Sequence, residues 1–325
     1  MQLDPRSIAT GALAGLASAL LVQVAVAHMS TSAFFIVLAG MPVFIAGLGF
    51  GIAAGIAGLV ASFALLSLMV SPLFALSILA LPQLPALWMS RLANMARPAA
   101  ELGGPDNVMA WYPLSDMLGQ LCNMTAVLCA GSLLLSGYDR PMAASLAQML
   151  SDAMSKQDPS FVANPGLVDQ IASLYYFMLP TVQASQWVLA IFAAYYFSAI
   201  IVRIATKTLR PREDMPSALR MTRSSIYSFG AGMAVLILGT AVNNNALIVA
   251  GASFAGAFGL GFMLSGLAAF HMRTRGKSWR TPALVLAYLT LSISGIAFVI
   301  AGLFDTRRAI ALTPVGGAPK DNQEH

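Results

Sequence analysis

The sequence predicts an all-α polytopic transmembrane helix bundle, and three observations carry that expectation. Apolar residues make up 58% of the 325-residue chain, and the mean hydropathy is +0.76. Charged residues make up only 10%, against roughly 25% in a typical soluble domain. The apolar residues fall into runs of about 20, the length that crosses a ~30 Å hydrocarbon core. Lipid is the bulk phase that such a surplus can face.

The elements follow in order. A first run spans 8–27, behind Asp4 and Arg6. Its Ala25-Val26-Ala27 has the small-residue pattern of a signal-peptidase site. The length of the run, and the spans that follow at once, favour a retained helix over a cleaved leader. From Ala33 to Met89 the chain is almost wholly apolar, and no charge occurs between Arg6 and Arg91. Glycines at 47, 49 and 51 and the Ser71-Pro72 pair mark breaks, predicting helices at 33–48, 51–69 and 72–90. The 91–115 segment is polar, with Gly103-Gly104-Pro105 as a turn and Trp111-Tyr112-Pro113 as an interfacial anchor.

A fifth span is expected at 116–136 and a sixth at 182–202, with Pro180 just before the latter. The intervening 137–180 reads as an extramembrane insertion. Apolar residues recur at helical spacing at Met142, Leu146, Met149 and Leu150, and again at Val168, Ile171 and Leu174, predicting two short amphipathic helices. Pro159 and Asn164-Pro165-Gly166 separate them. The remaining spans are 227–242, 246–270 and 281–303, and 304–325 is a polar tail. No internal repeat is evident, and no matched pair of discontinuous helices. The chain reads as one integral membrane domain.

Net charge is +5. The cations gather at 91–115, at 203–224 (Arg203, Lys207, Arg210, Arg212, Arg220, Arg223) and at 272–280. This is the positive-inside pattern, and it lacks the aromatic interleaving of a nucleic-acid platform. Nine spans place the three basic loops and the N-terminus on one side, the cytoplasm, but put Arg307-Arg308 opposite. Eight spans are the alternative. Cys122 and Cys129, on one helix, lie ~10 Å apart along its axis, too far for a disulfide. With three histidines besides, no metal-ligand spacing exists. No P-loop or catalytic triad is evident, so neither an enzyme nor a cofactor is expected.

Polar residues within spans are the first functional candidates, because they are costly there. Asp116, Gln120 and Asn123 share one face of the fifth span, as a polar wall toward a solute or as helix–helix glue. Gln183 and Gln186 form a similar pair on the sixth. His271, Arg273, Arg275 and Lys277 end the eighth span, either snorkelling to water or contacting an anion or a partner protein.

The stretch GLAAFHMRTRG, Gly266 to Gly276, resembles the G-L-A-x-x-H-x-x-x-R-G segment of the YybS-like family of bacterial integral membrane proteins, a domain of unknown function. PVFIAGLGFG (Pro42–Gly51) and WYP (Trp111–Pro113) are similar to stretches in its proteobacterial members. The resemblance covers roughly Ser7 to Leu303. It implies a multi-span protein of the bacterial inner membrane, with a bundle comparable to the substrate-binding subunits of energy-coupling-factor transporters and to rod-shape membrane proteins. It singles out His271, Arg275 and Gly276. The expected function is binding or movement of a small solute, with a non-transporting scaffold of envelope assembly as the alternative. The expected partners are the lipid bilayer, a small solute, and a membrane or cytoplasmic protein.

Overall fold

Proline and a side-chain cap start the first helix. Pro5 occupies the first turn, where its missing N–H costs nothing, and the Asp4 carboxylate accepts from the Arg6 N–H at 3.2 Å. The computed structural model describes residues 4–157, 165–205 and 210–306. Lys207, Pro159, Asn164, Arg307-Arg308 and nearly all of the polar tail lie outside the described residues.

Helix α1 runs Pro5–Ala27, α2 Ser32–Leu38, α3 Gly40–Phe50, α4 Ile52–Met69, α5 Pro72–Ile78 and α6 Leu84–Ala93. A π-helical turn, Leu79–Gln83, joins α5 to α6 and contains Pro82. Strands β1 (Ala96–Pro98) and β2 (Met109–Trp111) pair antiparallel, Ala96 opposite Trp111. Then come α7 Leu114–Leu135, α8 Arg140–Gln157, α9 Pro165–Ala205, the one-turn α10 Met215–Ala218, α11 Arg223–Ala241, α12 Asn245–Arg273, α13 Arg280–Leu289 and α14 Leu291–Asp305. Among the described residues eight segments are long and apolar enough to cross a membrane, α1, α2–α3, α4, α5–α6, α7, α9, α11 and α12, and the bent pair α13–α14 makes a ninth if it is one span. The fold is the all-α polytopic bundle expected.

Three details differ from expectation. The region 168–174 is no separate helix. It is the start of the 41-residue α9, which passes straight through Pro180. Its 41 residues exceed the ~20 that cross the hydrocarbon core, and Pro180 lies inside the helix rather than at its start. Second, the expected span at 281–303 is two helices bent by 110°. Third, matched discontinuous helices do exist.

That third feature organises the first compact unit, which comprises the residues up to Leu121, Ala190–Arg223 and those from Gly261 on. α1 and α4 are unbroken first arms, whereas α2–α3 and α5–α6 are second arms broken after seven residues each. The equivalent arms pack side by side and run in the same direction. A Cβ on Gly11 would strike the Ala54 carbonyl, and one turn on, a Cβ on Gly15 would strike that of Gly58. Likewise Gly40 lies on the Pro82 carbonyl and Gly47 on Ser90. Small residues let the backbones approach this closely. Two helical hairpins of similar length therefore repeat in parallel. Gly51, at φ 87°, makes the tight link between them.

The second unit comprises Cys122–Leu189 and Ser224–Leu260. Its α11 and α12 form a close hairpin through Gly232, Gly239 and Gly251, each against the facing helix. Ser185 Oγ donates to the Gly256 carbonyl at 2.9 Å, tying α9 to α12. At one end Tyr138 is buried; its hydroxyl donates to the Tyr175 carbonyl at 2.8 Å, and the Asn245 amide donates to the Tyr138 carbonyl at 2.7 Å. Burial, and then the neighbouring Tyr176, push the Tyr138 phenol up to about 12.

Candidate functional site

The ends of α3, α6 and α9 and the segment 210–216 surround a cavity of 480 Å³ in the first unit. Arginine 210 builds its floor. Its Nη1 donates to the Ala93 carbonyl at 3.0 Å, and its Nη2 to the Tyr112 carbonyl at 3.0 Å and to Glu213 Oε1 at 2.6 Å. Ala93 is the last residue of α6, so a cation here also suits the negative end of the helix dipole. The side chains of Arg210 and Glu213 are 10% and 7% exposed. A buried ion pair of this kind holds its shape only while both partners are present. Asn94, at the same end, donates through Nδ2 to the Gly47 carbonyl at 2.9 Å, in the last turn of α3. Tyr195 forms an apolar wall against Phe44, with ring centroids 6.0 Å apart.

The rim carries the remaining charge. Arg203 and Arg212 line the cavity with exposed side chains. Asp214, also lining it, accepts through both carboxylate oxygens from the one nitrogen Nη2 of Arg275, at 2.7 and 2.9 Å. Those hydrogen bonds hold the Asp214 carboxyl below its ordinary range. A depressed carboxyl contributes its stabilisation above the ordinary value and loses it as pH falls through the lowered one. At neutral pH the rim pair is therefore charged, and Arg203 and Arg212 leave a net positive lining.

None of the polar residues singled out within spans lines this cavity. Asp116 is half-buried in the first turn of α7. The amide of Gln120 is already engaged: it accepts from Trp88 Nε1 at 2.8 Å and donates to the Tyr112 hydroxyl at 2.5 Å. The Tyr112 phenol is pushed up by burial and next by the Asp116 charge. Asn123, further along α7, is exposed and belongs to the second unit. So do Gln186, which is exposed, and Gln183, half-buried with a carbonyl oxygen lacking a hydrogen-bond partner among the described residues.

Several residues of the motif at the end of α12 have structural partners. His271 Nε2 lies 2.9 Å from the Tyr288 hydroxyl. Arg273 reaches Asp305 at 3.9 Å, and Arg275 holds Asp214. Gly276 has φ 76°, a left-handed conformation open to glycine at little cost, while Lys277 is exposed. Arg275 is connected to the cavity through Asp214. By sequence alone Arg203, Arg210 and Arg212 mark orientation; the further signal in that loop is the adjacent Glu213-Asp214, two acids among the cations.

A second polar cluster was not foreseen at all. Gln83, in the π-helical turn, is 0% exposed. Its Nε2 donates to Ser18 Oγ at 2.8 Å and Ser62 Oγ at 2.6 Å, while Ser18 Oγ donates to the Ala39 carbonyl at 2.6 Å. Because the Ser18 proton is committed to Ala39, Ser18 can only accept from the amide. This fixes the amide orientation and leaves Gln83 Oε1 without a hydrogen-bond partner among the described residues. π-turns within helices are often found at functional sites.

No family model, no curated protein and no solved structure matches this chain significantly.

Proposed function

We propose that this is a multi-span protein of the bacterial inner membrane that binds a small anionic solute at its cytoplasmic face, as the membrane subunit of a transport system. The observation that carries the reading is the 480 Å³ cavity at the basic end of the first unit. That volume lies within the usual range of small-molecule sites. Its two acids are each paired with an arginine, Glu213 with Arg210 and Asp214 with Arg275. Arg203 and Arg212 remain as exposed cations on the rim. Guanidinium groups are suited to carboxylate and phosphate oxygens through charge-assisted, often bidentate hydrogen bonds. The basic loops support a cytoplasmic assignment of this face by the positive-inside rule. The resemblance to the YybS-like family points toward the same cellular setting.

The test is a thermal-shift titration of the detergent-purified protein with small carboxylates and phosphate esters. A ligand at a hundredfold excess over its Kd stabilises by about 2.7 kcal/mol. At least one anion should raise the unfolding temperature, and the shift should vanish in the double variant Arg203→Ala/Arg212→Ala. A ligand shift of equal size in that variant would remove the cavity from the account, and a complete lack of shift across both classes would overturn the anionic reading.

A further inference from the structure

Neither α13 nor α14 is long enough to cross a membrane by itself. At 1.5 Å per residue, the ten residues of α13 extend about 15 Å and the fifteen of α14 about 22 Å. Either is shorter than the ~30 Å core, and their axes turn by 110° at Thr290. Three tethers hold the pair to one end of α12. α13 starts just after the turn that follows α12. Near its other end, the Tyr288 hydroxyl meets His271, in the last turn of α12. At the end of α14, Asp305 lies 3.9 Å from Arg273 and 3.8 Å from Arg220, which is in the basic loop before α11. A crossing would carry Asp305 some 30 Å from these arginines, far beyond the reach of an ion pair.

Between those tethers, α14 packs back on the same stretch of α12. A Cβ on Gly266 would strike the Phe298 carbonyl, and one on Gly302 that of Phe262. The opposite face carries Leu289, Ile293 and Ile296, which are 78%, 82% and 75% exposed. Leu286 and Phe304 extend this apolar face. Trp279 and Tyr288 are exposed at the edge, beside Lys277 and Arg280. Aromatic and basic residues rimming an apolar face are the pattern of an element that lies in a membrane interface.

We infer that α13–α14 is a half-membrane hairpin. It embeds its apolar face in the acyl chains of one leaflet, that of the basic face, and returns the chain to that same face at Asp305. The protein then crosses the membrane eight times, and Asp4 and Asp305 lie on the same side. This reading is independent of the solute site.

The test uses single cysteines in a Cys122→Ser/Cys129→Ser background, in sealed membrane vesicles treated with an impermeant maleimide before and after permeabilisation. Lys277→Cys marks the basic face and Asn244→Cys the opposite end of α12. A cysteine appended after His325 should label with the sidedness of Lys277→Cys; the sidedness of Asn244→Cys would overturn the hairpin. A spin label at Ile293→Cys should be relaxed by lipid-soluble oxygen. Relaxation by an aqueous nickel chelate instead would show that the face is wet and would overturn the leaflet assignment.

Discussion

The hairpin of α1 to α3 and the hairpin of α4 to α6 share a layout but not a chemistry. Each has an unbroken first arm and a second arm interrupted after a seven-residue helix. Each interruption has a proline at or just after it, Pro42 in the first turn of α3 and Pro82 within the π-turn. The residue after each proline is fully buried, and there the two diverge: Val43 and Gln83 are both 0% exposed. The first break is a single irregular residue, Ala39, whose carbonyl takes the Ser18 hydroxyl. The second widens into a π-turn and places an amide between Ser18 and Ser62. Close packing through small residues is thus sufficient for the repeated geometry, since the apolar break achieves it too. The amide is an addition to that geometry rather than its cause.

The comparison is broken most severely by removing the close approach itself. Gly15→Leu places a side chain where the Gly58 carbonyl and Ala61 already sit. Neither backbone can yield without separating the first arms, so the expected loss is about 3 kcal/mol or more. Thermal unfolding in detergent should show it. A loss under about 1 kcal/mol would mean that the two hairpins are not held by this seam.

A smaller effect is expected at the junction. Gly51 has φ 87° and nothing within 4 Å of where a Cβ would be. Gly51→Ala therefore tests the backbone alone: with ψ 175° this is a conformation essentially confined to glycine, and its cost for an L-residue is about 1–3 kcal/mol. The second hairpin ends differently: Asn94 closes it at φ −91° and reaches back to the carbonyls of Gly47 and Leu48. An Ala substitution at Gly51 with no measurable cost would indicate that the link relaxes to an ordinary turn.

Much of this architecture was legible in the amino-acid order, and the reasons for the rest are physical. Span positions follow from apolar runs, which lipid demands wherever backbone crosses it. The α2–α3 break was hard to read because its marks, Gly40 and Pro42, sit in a run without charge, and both residue types are common inside membrane helices. The duplication was hidden for a related reason: Gly, Ala and Leu recur in any membrane helix, so repeated packing contacts leave a weak trace. Pro180 read as a helix start because that is its commonest role in water-soluble proteins, whereas in α9 it is internal. Asp116, Gln120 and Asn123 share a face by spacing, yet spacing cannot tell that Trp88 and Tyr112 already occupy the Gln120 amide. Arg210 is the converse case. A basic loop residue ordinarily serves orientation, and only the fold shows it buried against Glu213 and the end of α6.

The smallest expected effect bears most directly on how the hairpins differ. Gln83→Met keeps the length and approximate shape of the side chain and deletes both donors and the acceptor. The orphaned Oε1 disappears, which removes an unsatisfied buried group. Against that gain, Ser18 and Ser62 each lose one donor, although Ser18 keeps its bond to Ala39. Interhelical hydrogen bonds within membranes contribute about 0.6 kcal/mol on average, so the two terms nearly cancel. The variant should unfold within about 1 kcal/mol of the native protein, as a second hairpin made apolar like the first. A loss above about 2 kcal/mol would show that the π-turn depends on its amide. The second break would then be held by hydrogen bonding where the first is held by packing, and the likeness of the two hairpins would be one of outline only.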